Sequence, residues 1–362
     1  MIDRPHILWI DEPSAVGSPL LGGKFSSLAQ SVAAGLPVPM GFGITTHAYR
    51  DFIAAAGLAD EVRRVRAAAL TLRPEAIAAE TRGLIEAIHT APLPPALEQA
   101  VRGAYADLNR RTGETATAVA VRSSGESEDL AGASFAGQYE TYLWISGADA
   151  VIAHMRRCWA GMFGDAVLSY RHEGRVIAAE GDFGICVGVQ RMVQARAAGV
   201  MFTLDPLTGD RSKIQIETCW GLGEGVVKGD VTPSQFLCDK VRLSVLKRTI
   251  AAQPEEYRFD ADAGGVGLYP IEEDRREQAC VSEEEVIELA TLAKTIEKQR
   301  GAPQDIEWAI AQDGAIAVLQ VRPETVWSNR PARPAARIAS PIDHVLARMS
   351  GKAVATAGKA GQ

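Results

Sequence analysis

Apolar runs of strand length alternate along this chain with longer segments whose apolar residues recur at helical spacing, which predicts a mixed α+β protein. Residues 7–10, I-L-W-I, read as an opening strand. A helix follows, begun at Gly22-Gly23-Lys24, carrying Leu28 and Val32 toward a core and broken at 35–39 by G-L-P-V-P. Residues 46–99 are alanine-rich and helical, most clearly over 47–52 and 77–88. A-P-L-P-P at 91–95 interrupts them, and 96–110 form another helix. Next come a short strand at 118–121, predicted to stop at Arg122, a strand at 141–145, and a helix over 148–169 with Ile152, Met155, Trp159 and Phe163 at core spacing.

The second half is richer in strand signals. Residues 183–192 form an apolar strand; 198–206 run into a turn at Thr208-Gly209-Asp210, with 214–220 as the antiparallel partner. The helix over 283–299 opens on a capping box, with Ser282 at the N-cap and Glu285 three positions on. The last folded signal is a hairpin, 304–310 and 317–323, about a turn at Gln312-Asp313-Gly314. Residues 328–337 have the composition of a basic, proline-rich linker, and a short helix over 342–349 precedes a tail. The expected division is an N-terminal lobe over 1–185, a C-terminal lobe over 186–327, and a linker and tail over 328–362.

Four stretches carry candidate chemistry. Arg122 is followed by Ser123, Ser124 and a run of small residues, which gives backbone N–H groups room to approach an anion, and the guanidinium adds a fork of donors for phosphate oxygens. The alternative is a solvated strand end pairing with Glu126 or Glu128. Lys24 stands at a helix start, where the macrodipole disfavours a cation; a nearby anion would account for it, and so would an ordinary surface position. The G-x-x-x-x-G-K-[ST] spacing is absent. Gln190-Arg191-Met192 gives a strand a polar edge beside a soft apolar side chain, suited to a purine base or to a plain core-strand exit. In the last hairpin, Glu307, Gln320 and Arg322 come within reach of one another if the register is simple. A carboxylate and an amide oxygen suit Mg²⁺, and Arg322 suits a terminal phosphate; an exposed ion pair on a hairpin edge is the alternative. His47 and His89 are assigned to solvated helix faces with no role.

With 362 residues the chain can bury a sizeable core, and its 47% hydrophobic and 23% charged content is that of a globular protein. The net charge of 38 − 45 = −7 argues against a nucleic-acid partner. No run of eighteen apolar residues and no signal peptide is found, so no membrane association is expected. Five widely spaced cysteines without a C-x-x-C pair suggest neither a disulfide framework nor a zinc site; they are expected as core residues in a reducing cytoplasm.

The order of the blocks adds more than any one of them. G-G-K-F-S-S-L at 22–28, G-L-P-V-P-M-G-F at 35–42, A-V-R-S-S at 120–124 and A-S-F-A-G-Q-Y-E-T-Y-L at 133–143 closely resemble the nucleotide-binding part of the phosphoenolpyruvate synthase and pyruvate phosphate dikinase family. So do R-C-W-A-G-M-F at 157–163, G-V-M-F-T-L-D at 199–205, W-G-L-G-E at 220–224, D-I-E-W at 305–308 and Q-V-R-P-E-T at 320–325. The resemblance runs over roughly residues 5–327. It implies an ATP-grasp fold, two α+β lobes closing on ATP and Mg²⁺, with Mn²⁺ as a possible substitute. By matching motif, Lys24 and Arg122 would contact phosphates, Gly137 and Thr141 would sit in the phosphate loop, and Gln190 and Met192 would line the adenine site. Glu307 and Gln320 would bind the metal and Arg322 would hold the transferred end of the nucleotide. Lys24, Arg122 and Arg322 are the expected catalytic residues.

The family's phosphate-accepting histidine lies in a T-G-G-x-T-x-H-x-A motif, and none of His6, His47, His89, His154, His172 and His344 has that context. The resemblance therefore implies an ATP-binding subunit that phosphorylates a histidine on a separate partner subunit carrying the acceptor site. ATP would go to AMP and phosphate, with little activity in the partner's absence. In size the chain is similar to the ATP-binding subunit of phenylphosphate synthase, which implies phenol as acceptor. The alternatives are the ATP-binding component of a phosphoenolpyruvate synthase or another small-molecule dikinase, and a non-catalytic nucleotide-binding regulatory protein.

Overall fold

Two antiparallel sheets carry the chain; helices pack on both faces of the first and on one face of the second. The computed structural model describes residues 5–125, 141–169, 171–172, 175–176 and 184–327; the linker and tail expected after 328 lie outside them. In chain order the strands are β1 (Ile7–Trp9), β2 (Gly41–Ile44), β3 (Val119–Gly125), β4 (Thr141–Ile145), the two-residue strands β5 (Arg171–His172) and β6 (Arg175–Val176), and β7 (Ile185–Arg191). They continue as β8 (Ala195–Phe202), β9 (Lys213–Trp220), β10 (Ser234–Asp239), β11 (Ser244–Thr249), β12 (Glu255–Asp260), β13 (Gly265–Pro270), β14 (Gln304–Ala311) and β15 (Ile316–Pro323). The helices are α1 (Gly22–Ala33), α2 (Thr46–Ala55), α3 (Ala59–Ala69), α4 (Pro74–Thr90), α5 (Pro95–Thr112), α6 (Ala148–Gly161), α7 (Asp165–Ser169), α8 (Glu224–Lys228) and α9 (Glu283–Arg300).

The first sheet has the order β1-β2-β7-β3-β4 and the second β11-β10-β9-β8-β14-β15, while β12 and β13 form a separate hairpin. Strand alternation sends Phe42, Ile44, Val119, Val121, Val187 and Val189 to one face of the first sheet, where they are buried with apolar residues of α2 to α7. Phe52 and Trp159 stack there with centroids 5.0 Å apart. The opposite face receives α1 through Phe25 and Leu28, with Leu21 just before the helix. The second sheet buries Ile214, Ile216, Phe236, Ile306 and Trp308 against Val286, Leu289, Ala293 and Ile296 of α9. The capping box that starts α9 forms as predicted: Ser282 Oγ accepts from the Glu285 amide, and a Glu285 carboxylate oxygen accepts from the Ser282 amide.

Three expectations are revised. The helix predicted over 148–169 breaks at Met162–Gly164 into α6 and α7, with the Gly164 amide bonded to the Gly161 carbonyl; two glycines in one turn remove the local preference for continuing. Strand β3 does not stop at Arg122 but runs to Gly125, because β7 goes on pairing with it through Ser124↔Cys186 and Gly125↔Ile185. That pairing also places β7 in the first sheet, so the chain changes sheets between β7 and β8 rather than at 185/186. All five cysteines are buried and free. No helix among the described residues is long and apolar enough to cross a membrane.

Candidate functional site

The first turn of α1 is wedged between the two sheets. Gly22 has φ 63 and ψ −178, a region open in practice only to glycine, and a Cβ on it would lie 2.1 Å from the Ser124 carbonyl oxygen of β3. This close approach lets Ser124 Oγ donate to the Leu21 carbonyl at 2.8 Å and accept from the Phe25 amide at 3.2 Å. One turn further along, Ser27 Oγ donates to the Val321 carbonyl of β15 at 2.7 Å. Lys24 is half-buried and, three positions before Ser27, shares its helix face. It is therefore carried on the side of α1 that meets β15 between Gln320 and Arg322.

Arg122 crosses the gap from the other side. Its residue is only 7% exposed, and its guanidinium Nη2 donates to Oε1 of Gln320. Nη1 donates to the Leu319 carbonyl at 3.4 Å, and Nη2 stands 3.8 Å from a Glu307 carboxylate oxygen. Arg122 thus makes a buried contact with the second sheet, and Glu126 and Glu128, its alternative partners, lie outside the described residues. In the hairpin, Glu307 faces Gln320 and Asp305 faces Arg322 in simple register; the shift comes one position later, where Leu319 is the extra residue. That bulge frees the Leu319 carbonyl for Arg122. Arg122 Nε and Gln190 Nε2 are buried without a hydrogen-bond partner among the described residues.

The other predicted residues fall on the same side of the first sheet to different degrees. Thr141 is the direct partner of Arg122 across β3–β4, so the two side chains share a face. Gln190, 3% exposed, is the partner of Ala120, on that same face two positions from Arg122 along β3. On this face Gly188 lets α1 pack close: a Cβ there would lie 1.8 Å from the Phe25 ring. Met192 is half-buried just past β7, and its amide is committed to the Ala118 carbonyl at 2.8 Å. The backbone edge expected to pair with a base is therefore not offered by that amide. Gly137 lies outside the described residues.

Glu307 and Gln320 present two hard oxygens directly opposite one another, a donor set that fits Mg²⁺, since the Gln320 amide oxygen retains a second lone pair beside its bond from Arg122. Two further acids were given no role by the sequence. Asp305 is 9% exposed; its Oδ2 accepts from Arg322 Nε at 2.8 Å and lies 2.6 Å from Nη2. Burial pushes the Asp305 carboxyl up, and the Arg322 charge opposes that rise. Glu217 lies in line with Glu307 across β14, β8 and β9, through Val200, and burial raises its pKa against a hydrogen bond from Gln235 at 3.0 Å. Alternation in β14 already places Asp305 on the face of Glu307, and what it does not supply is the pairing with Arg322. Glu217 depends on the β8–β9–β14 register, which no local pattern encodes.

The profile of the family described as "Pyruvate phosphate dikinase, AMP/ATP-binding domain" matches residues 18–341. The phosphoenolpyruvate synthase of Aeropyrum pernix is 37% identical over 96% of this chain and 46% of its own length. The prodigiosin synthesizing transferase of Serratia marcescens is 41% identical over 84% of this chain and 31% of its own length. The rifampicin phosphotransferase of a Streptomyces species is 38% identical over 90% and 36%. The chain spans half or less of the length of each of these relatives.

Proposed function

Because the chain belongs to the pyruvate phosphate dikinase family of AMP/ATP-binding domains, we propose that it binds ATP between the α1 side of its first sheet and the β14–β15 hairpin. The two sheets would act as the two lobes of an ATP-grasp fold. The observation that carries this reading is the convergence of Arg122 with Glu307 and Gln320, beside the helix face of Lys24, where the buried guanidinium's Nε has no partner among the described residues. Lys24, Arg122 and Arg322 would hold the phosphates, with Thr141 and Gly137 at the phosphate loop and Gln190 and Met192 at the base. Glu307 and Gln320 would hold Mg²⁺, which when bound neutralises phosphate charge.

The reaction is the transfer of the β-phosphoryl group to a histidine supplied by another domain or polypeptide, with AMP and phosphate released; water supplies the oxygen that the phosphate gains. The chain's own residues position the triphosphate and stabilise charge as it shifts toward the leaving AMP. The acceptor we favour is pyruvate, as in the relatives named phosphoenolpyruvate synthase. Phenol rests on chain length alone, which carries no weight where relatives extend well beyond the matched part.

Calorimetric titration with ATP and Mg²⁺ tests the first step, and its failure would end the proposal. The part of the Aeropyrum pernix enzyme that this chain does not span, supplied as a separate polypeptide, tests the second. AMP release beyond one equivalent per histidine is expected with pyruvate and not with phenol.

A further inference from the structure

On the other face of the first sheet, where the first turns of α2 meet the segment before β1, three metal-ligating side chains converge. His47 and Asp51 are four residues apart on α2, and so on one helix face. His6 is brought to them by the segment before β1. The Thr45 amide donates to the His6 carbonyl at 2.9 Å, and Thr45 Oγ1 donates to the Pro5 carbonyl at 2.8 Å while also capping α2. Both imidazoles turn Nε2 toward the same oxygen: His6 Nε2 is 2.8 Å and His47 Nε2 3.3 Å from Asp51 Oδ2. The three ligand atoms lie within 4.8 Å of one another. His47 is thus not on the solvated face that its helical position alone suggested.

From this geometry we infer a binding site for a first-row transition-metal dication, with Zn²⁺ as its probe. Two imidazole nitrogens and one carboxylate oxygen form the mixed donor set that such ions prefer over Mg²⁺. A tetrahedral ion with bonds of about 2.0–2.1 Å needs its ligands about 3.3 Å apart, so the donors reach it by small side-chain rotations. The side chains are 20%, 25% and 41% exposed, which leaves the ion a route in and a coordination position for water. The bound ion would clip the segment before β1 to α2.

The test is a Zn²⁺ titration of the tag-free chain against a chromophoric chelator, with excess Mg²⁺ to occupy oxygen-only sites. One Zn²⁺ per chain is expected, with affinity falling at least about tenfold in His6→Ala and in His47→Ala, and in the near-isosteric Asp51→Asn. Co²⁺ in the same site should show the visible absorption of a four-coordinate ion, lost in the same variants, and Zn²⁺ should raise the melting temperature of the native chain only. Circular dichroism verifies that each variant is folded. No stoichiometric Zn²⁺, or Zn²⁺ retained with equal affinity by the folded His47→Ala and Asp51→Asn chains, overturns the inference.

Discussion

Arg122 in β3 donates to the Gln320 amide oxygen in β15, 198 positions further along the chain, and so joins the two sheets through a single guanidinium. The contact is buried, and the Leu319 carbonyl freed by the hairpin bulge supports it. Arg122→Ala should weaken ATP binding by roughly 100-fold, within the range found when one member of a buried charged hydrogen bond is removed. Arg122→Lys should recover little, because an ammonium cannot reproduce the planar fork. Calorimetry on both variants checks this; full recovery by lysine would show that only the charge matters.

The seat of α1 can be tested without touching a polar group. Gly22→Ala forces a side chain into a backbone region that excludes it and into the Ser124 carbonyl. A loss of about 3 kcal/mol in unfolding free energy is expected, together with weaker ATP binding, since Lys24 rides on the displaced turn. Gly35→Ala is the control. It also has a positive φ, 75, but a Cβ there meets nothing within 4 Å, so it should cost about 1 kcal/mol and leave ATP affinity unchanged. Equal losses in the two variants would mean that the docking of α1 on β3 contributes nothing.

Local signals told the elements but not their meeting places. The capping box, the hairpin turn and the Gly-Gly-Lys helix start were all legible, because each is written within a few adjacent residues. Arg122, Glu307 and Gln320 could be nominated separately, each with a plain structural alternative. What decides between the readings is a contact across the two sheets, which depends on strand order and not on spacing. The end of β3 was misjudged for the same reason: a run of polar residues looks like a strand end until a partner such as β7 is known to extend beside it. His47 lost its solvated assignment because the segment before β1 returns beside α2.

The start of α9 provides a stability prediction that should be blind to nucleotide. Ser282→Ala removes the cap on the Glu285 amide and should cost about 1 kcal/mol, with ATP affinity unaltered. Glu285→Ala should cost more, because that carboxylate also pairs with Arg196. Chemical denaturation of the two variants ranks them; the reverse order would place the stabilisation in the serine alone.

The Asp305–Arg322 pair predicts a pH dependence with a definite sign. Burial raises the Asp305 carboxyl above its unfolded value, so the folded chain holds that proton more readily than the unfolded one. Stability from this source is complete at pH below the unfolded carboxyl pKa and is lost as pH rises through the folded one. The Arg322 charge, 2.6 Å away, limits that loss by favouring the carboxylate. Arg322→Ala removes the restraint and moves the folded pKa higher still. The variant should therefore lie close to the native chain at acid pH and fall about 2 kcal/mol below it near neutrality, toward the low end for a broken buried pair because the Arg322 side chain is 35% exposed. Adding Asp305→Asn should flatten the pH profile, since the amide has no proton to lose. Unfolding curves across pH 4 to 8 for the three chains test the argument. A pH-independent deficit in Arg322→Ala would show that Arg322 contributes by packing its stem and not by holding the Asp305 carboxylate ionised.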